Sequence, residues 1–248
     1  MIVEGGIAGV RNFTVSASQT EDGLTVVPYK EALAAFRRDC DEMNLIVQLL
    51  QQRFHSALVG PILDVGAGSG EVAALAFPNE TAMLLDHESY APSANPNHTR
   101  ITRDFSSLDF GSLKPKTIFF CHSSNYFLRD DAETTSERLV RSGVKTVLLV
   151  SNEPEGIMKE IVDRLRSSGM KIPEPFHIAI PGLTLKKREC FGARLATPDF
   201  KTMATHLVRI IFDLEDIRVE SLVEEQLRSR LDGPDICIPE AIYWYHPA

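Results

Sequence analysis

The four cysteines of this sequence, Cys40, Cys121, Cys190 and Cys237, lie far apart, and none belongs to a C-x-x-C pair. That spacing argues against a disulfide framework and against a structural zinc cluster. No stretch reaches the roughly 18 apolar residues of a membrane span. The opening M-I-V-E-G-G-I-A-G-V has an early acid and no basic segment ahead of an apolar core, which is unlike a signal peptide. Basic charge is also short: 26 Lys and Arg stand against 34 Asp and Glu, a formal net charge of −8. Broad binding of nucleic acid needs a basic footprint. The one basic run, Lys186-Lys187-Arg188, reads as a solvated strand face. Internal repeats and low-complexity tracts are missing. These absences together lead to the expectation of a soluble cytoplasmic protein that neither spans a membrane nor takes nucleic acid as its partner.

What is present is ordinary globular material, 44% hydrophobic and 24% charged over 248 residues, enough for one large α/β domain with additions. Residues 1–27 are rich in Gly, Ser and Thr and read as an arm or a lid. From Pro28 the apolar residues Phe36, Cys40, Met43, Val47, Leu50, Phe54 and Leu58 recur at steps of three and four. That spacing predicts one long amphipathic helix, closed by Gly60-Pro61. The expected division is thus 1–59, arm and helix, followed by an α/β domain over 60–248.

Beyond Gly60 the rhythm becomes strand, turn, helix. P-I-L-D-V, T-A-M-L-L-D, R-I-T-R-D-F, K-T-I-F-F-C-H and K-T-V-L-L-V-S are short apolar strands, and helical patterns fall between several of them. Such alternation predicts a mostly parallel sheet covered on both faces by right-handed crossovers. L-T-L-K-K-R-E-C-F-G-A-R-L reads as a more exposed strand. A helical insertion at about 198–231 follows, with apolar positions Met203, Leu207, Ile210 and Ile211, and A-I-Y-W-Y-H closes the chain as a strand beside its predecessor. The insertion serves as a cap, a partner surface or plain core packing.

The chemistry concentrates at I-L-D-V-G-A-G-S-G-E-V-A, 62–73. Gly66, Gly68 and Gly70 tolerate positive φ and let a ligand lie against backbone. The turn also sits beyond the carboxyl end of a strand, where open α/β sheets bind ligands. A dinucleotide fingerprint needs G-x-G-x-x-G and a P-loop needs G-K-[ST]; neither is here. Instead Asp64 precedes the turn and Glu71 follows it, a setting suited to a ligand with a cationic group. Asp86 ends the second strand, 22 residues after Asp64, at the distance where an acid accepts from ribose hydroxyls. Asp104-Phe105 ends the third, an acceptor for an exocyclic amine beside a ring for packing. Each acid alone reads more readily as a cap or turn acid; the joint placement selects a nucleoside with an amine.

On these residues the chain resembles the class I S-adenosylmethionine-dependent methyltransferases. D-V-G-A-G-S-G at 64–70 is similar to the family's first motif, Asp86 to its ribose acid and Asp104-Phe105 to its adenine-edge position, and C-H-S-S-N-Y-F is similar to the segment after strand four. The resemblance covers about 60–200. It implies a Rossmann-like three-layer sandwich with a mostly parallel seven-stranded sheet, an antiparallel terminal strand, and N-terminal and late helical additions. It also implies S-adenosylmethionine as cofactor, held by Asp64, Gly66, Ala67, Gly68, Gly70, Asp86, His87, Asp104, Phe105 and Cys121. His122 and Tyr126 are then the candidate catalytic residues, with Tyr29, Ser123, Asn125 and His177 as weaker acceptor-side positions. The sequence departs from the family where about 40 residues of helical pattern part the last two strands, which usually form a close hairpin.

The expected reaction is methyl transfer to an oxygen or nitrogen of a small molecule in a biosynthetic pathway. No D-P-P-Y or N-P-P-Y run follows strand four, and no cysteine sits as in the RNA cytosine enzymes. No cluster has metal-ligand spacing, so no metal is expected. The candidate partners are the methyl acceptor and a second copy of the chain. A nicotinamide-dependent oxidoreductase and a non-catalytic methyltransferase-like subunit are the alternatives.

Overall fold

The computed structural model describes residues 28–124, 132–170, 172, 176, 179–196, 199–212, 217–230 and 235–247. In chain order the elements are α1 (Tyr29–Asp39), α2 (Glu42–Arg53), β1 (Ile62–Val65), α3 (Glu71–Ala76), β2 (Ala82–Asp86), β3 (His98–Thr102), α4 (Phe110–Leu113), β4 (Thr117–Cys121), α5 (Ala132–Arg141), β5 (Thr146–Asn152), α6 (Gly156–Ser167), β6 (Leu183–Ala196), α7 (Phe200–Leu207), α8 (Ile217–Ser229) and β7 (Asp235–Pro247). The arm expected at 1–27 lies outside the described residues.

One seven-stranded sheet runs β3-β2-β1-β4-β5-β7-β6. The first five strands in that order are parallel, and β7 is antiparallel to both of its neighbours. This is the expected sheet, with its antiparallel terminal strand. The short apolar runs become central strands because they are buried on both faces: β1, β4 and β5 expose almost nothing. Alternate residues serve opposite faces. Ile62, Phe119, Leu148, Val150, Ile242 and Trp244 pack with Leu50 of α2, Phe54 just after it, and Ala73 and Ala76 of α3. On the other face Leu63, Val65, Ile118, Phe120, Val147, Leu149 and Tyr243 pack with Phe110 of α4 and Leu139 of α5.

The amphipathic stripe after Pro28 forms two helices rather than one. Cys40 is extended (φ −120°, ψ 135°) and bridges Leu195 near the end of β6. The Asp41 N–H donates to the Arg194 carbonyl at 3.1 Å, and the Arg194 N–H donates to Asp41 Oδ1 at 2.6 Å. Backbone groups lost to the helix ladder are thereby answered by the strand edge. Met43 and Val47 are only partly buried, and the buried side of α2 carries Ile46 and Leu50. In the sequence, though, the apolar steps run on through the break, from Phe36 and Cys40 to Met43, Val47, Leu50 and Phe54. Periodicity alone therefore hides it.

The last two strands pair from Leu183↔Pro247 to Ala196↔Asp235 although two helices separate them in sequence. Met203, Ala204 and Leu207 of α7 and Val219, Val223 and Leu227 of α8 pack with α1, α6 and the outer half of β6–β7. Met203 and Leu207 are thus core residues. No helix among the described residues is long and apolar enough to cross a membrane.

Phe119 is fully buried at the sheet centre, with its ring edge-on to Phe77 at 5.9 Å. Phe119→Ala should therefore cost about 3–5 kcal/mol, measured as a lowered denaturant midpoint with unchanged slope.

Candidate functional site

The glycine turn leaves the carboxyl end of β1 at the sheet centre. Gly66, Gly68 and Gly70 have φ of 72°, 54° and 80°, values that side chains rarely accept. Two of these glycines differ in what surrounds them. A Cβ on Gly70 would lie 2.6 Å from Leu84 Cδ1, so that glycine serves packing against β2. A Cβ on Gly68 would meet nothing closer than the Tyr90 hydroxyl at 4.0 Å, so its outer side is open.

Two side chains hold this turn. Asp86, at the end of β2, accepts from the Gly68 N–H through Oδ2 at 2.9 Å and from the Glu88 N–H through Oδ1 at 3.0 Å. A carboxylate has about four acceptor positions, so Asp86 keeps capacity for a ligand. Arg100 of β3 donates to the carbonyls of Gly68 (2.6 Å), Ser69 and Ala91 (2.6 Å). The Tyr90 ring lies under Arg100, 5.2 Å from its guanidinium carbon, and also 4.6 Å from Lys30 Nζ. Lys30 in turn pairs with Glu88 at 2.7 Å. Arg100 and Tyr90 escape a sequence reading. One is an ordinary strand residue and the other a loop aromatic until the fold brings them to the turn.

Asp64 is 3% exposed, and no described side chain is hydrogen-bonded to it. Burial, with the nearby Asp86 charge adding and Arg100 opposing, pushes its carboxyl up to about 7. Ala67 lies partly buried in the turn, its N–H donating to the Leu85 carbonyl at 3.0 Å. His87 is exposed, with Nδ1 3.3 Å from Asp86 Oδ1. Asp104 is exposed beyond β3, at the start of a short 3-10 turn. Phe105 differs from expectation. It is buried edge-on between Phe110 and Phe120, at 5.6 and 5.9 Å, with Arg138 over its ring. Its ring packs in the core with Phe110 and Phe120 and is 5% exposed.

On the other side of the turn, β4 ends in Cys121, whose thiol is pushed up to about 12, chiefly by burial. His122 follows with φ of 55°, uncommon for a residue with a side chain, and its N–H donates to the Val150 carbonyl at 3.1 Å. Buried Ser123 then donates to the Val65 carbonyl, tying this segment to β1. His122 Nε2 lies 3.0 Å from Glu42 Oε1 and 3.4 Å from Glu240 Oε2. The imidazole is driven well above 6.5 by these two carboxylates, against the opposing effect of burial. Burial and the Glu42 charge push Glu240 above the usual carboxylate range, whereas the imidazolium, against burial, draws Glu42 below it.

Sequence reading found His122 but neither carboxylate. Glu42 opens α2 and passes for a helix-dipole acid, while Glu240 hides in the terminal strand. The three residues sit 80 and 118 positions apart in order, so no local spacing could join them. Tyr126, Asn125 and His177 lie outside the described residues.

No protein-family model matches the sequence, and no curated protein does. Among solved structures, the YcgJ protein of Bacillus subtilis matches with a TM-score of 0.54 at 13% identity, covering 82% of this chain and 97% of that one. A candidate methyltransferase from Bacillus halodurans C-125 matches with a TM-score of 0.50 at 15% identity, covering 80% and 96%. Strand order, the antiparallel β7 and these likenesses agree: the chain has the class I S-adenosylmethionine-dependent methyltransferase-like fold.

Proposed function

We propose that the chain transfers a methyl group from S-adenosylmethionine to an oxygen or nitrogen of a small molecule, as a step of a biosynthetic pathway. One observation carries this reading: an open glycine turn at the centre of the sheet, flanked by the buried Asp64 and by Asp86. The backbone from Gly66 through Ala67 and Gly68 to Gly70 lies along the methionine part, with Asp64 toward its ammonium. Asp86 uses its remaining acceptor positions for the ribose hydroxyls, with His87 beside it, and Asp104 takes the adenine amine. Cys121 and His122 face the reacting end.

Bound there, S-adenosylmethionine supplies an electrophilic methyl group on a sulfonium. The chain's own contribution is placement, which can provide much of the acceleration for an in-line displacement. Asp86 and Arg100 fix the turn from both sides, so little of it needs ordering when a ligand arrives. Asp64 supplies a carboxylate in a poorly solvated place, where attraction to a cation is strong.

Calorimetric titration should give one S-adenosylhomocysteine bound per chain and no measurable binding of NAD. Asp86→Ala should weaken that binding at least tenfold. Unchanged affinity would remove Asp86 from the ribose role, and NAD binding in place of the sulfonium nucleoside would overturn the class of cofactor. Retained binding without turnover over a panel of phenols, amines and carboxylic acids would favour a non-catalytic subunit.

Asp64 also sets a pH dependence. With its carboxyl pushed up to about 7, Asp64 is half protonated near neutrality and holds its proton below it. It is buried and near the Asp86 charge, while Arg100 pulls the other way and the Cys121 thiol stays neutral. A ligand ammonium favours the ionised form, so that proton must leave on binding. Affinity for S-adenosylhomocysteine should then rise about tenfold between pH 6 and pH 8 and level off above. Asp64→Asn should show weaker binding with a flat profile. A wild-type profile as flat as the variant's would show that Asp64 does not face the ammonium.

A further inference from the structure

We infer that Glu42, His122 and Glu240 form a binding site for one divalent transition-metal ion of the zinc type. Three elements supply it: the first turn of α2, the residue after β4, and the inner half of β7. One ligand atom from each, His122 Nε2 and a carboxylate oxygen from each glutamate, lies within 4.8 Å of the others. The site adds to the cofactor reading and does not depend on it.

The distances fit a shared cation. Metal bonds of about 2.0–2.1 Å place neighbouring ligand atoms roughly 2.9 Å apart at right angles and roughly 3.4 Å apart at the tetrahedral angle. His122 Nε2 stands 3.0 and 3.4 Å from the two carboxylate oxygens. Both contacts are ion pairs, yet Nε2 meets neither oxygen in good hydrogen-bond geometry. The nitrogen is close to both acids and properly bonded to neither, as expected where all three converge on a common point between them.

Glu240 is the second, independent observation. Its side chain is 0% exposed, and among the described residues neither oxygen meets a donor in good hydrogen-bond geometry. Buried carboxylates are ordinarily satisfied, because leaving one bare is costly. The same sheet shows the ordinary case. Glu153 is 1% exposed but is met by the Arg188 guanidinium and by the Tyr243 hydroxyl at 2.6 Å. Glu240 has instead a second carboxylate and an imidazole as neighbours. A metal displaces the protons these ligands share. The two carboxylates and neutral imidazole that result carry a charge of minus two, which a divalent ion cancels.

The donor set narrows the ion. An imidazole nitrogen suits zinc and its neighbours better than magnesium or calcium, and two carboxylates keep the site from being a copper(I) or iron–sulfur one. Three protein ligands leave at least one coordination position free, the pattern of a catalytic rather than a structural site. Glu240 is sealed, while Glu42 and His122 retain 15% and 28% exposure. The free position therefore opens on their side, where a water or an oxygen of a small molecule can complete the coordination.

The test uses the full chain, stripped with a chelator and titrated with Zn2+, with Mg2+ as the comparison. One Zn2+ per chain should bind, at least a hundredfold more tightly than Mg2+. Co2+ in its place should give the visible absorption of a four- or five-coordinate ion. Glu240→Gln and Glu42→Gln should each weaken Zn2+ at least tenfold, and Glu42→Gln, on the more exposed ligand, keeps the test open if the buried substitution unfolds the chain. Zn2+ binding no tighter than that of the E42Q/H122Q/E240Q triple variant would overturn the site. Full-strength binding in the single variants would do the same. S-adenosylhomocysteine titrated in parallel separates the two readings, since Zn2+ bound by a chain that ignores the nucleoside leaves the metal site standing.

Discussion

The arrangement depends on one reversal of direction. Five strands run parallel and deliver their carboxyl ends to one edge of the sheet, while β7, threaded antiparallel between β5 and β6, begins at that edge. Its register sets Glu240 opposite Asn152 at the end of β5. A slip of one residue would turn Glu240 to the other face and expose the Ile242 and Trp244 positions to the wrong helices. The packing of those two residues with Leu50 of α2 and Phe54 at its end therefore fixes where the acid stands. Because α2 is the same helix that supplies Glu42, one hydrophobic contact aligns both carboxylates with His122.

The glycine turn is governed by a different balance. Its amides and carbonyls would each be wet and mobile in an isolated loop. Here Asp86 takes the Gly68 amide on one side and Arg100 takes the Gly68 and Ser69 carbonyls on the other, so opposite charges grip successive peptide units of the turn. Tyr90 lies flat beneath the guanidinium and steadies it. The acid thus has two duties, shaping the turn and offering acceptors above it, and the first makes the second geometrically possible.

Much of this could be read from the chain because the signals are local. Short apolar runs and the spaced glycines identify the strands and the turn within a dozen residues, and Asp86 is found by its place at a strand end. Long-range pairings are another matter. The break at Cys40 is invisible because the apolar period runs on through it while β6 claims the backbone. Phe105 misleads because position after a strand does not tell which side of the sheet edge a ring will take. Glu42 and Glu240 carry no mark at all: their meaning arises only when α2 and β7 flank the same strand end. The late helices kept their apolar stripe, and its burial against α1 and α6 follows from the outer half of the β6–β7 ribbon needing cover.

The bridge between Cys40 and Leu195 has a consequence for how the molecule is assembled. Asp41 and Arg194, which exchange backbone and side-chain bonds there, are 153 positions apart. During synthesis α1 and α2 emerge early, yet the edge that separates them exists only after β6 has been made. Until then nothing enforces the break, and the continuous apolar stripe favours a single uninterrupted helix. The early segment must therefore be remodelled late, when closing so long a loop becomes worthwhile. A segment made 153 positions before its partner thus takes its final shape only once β6 has formed.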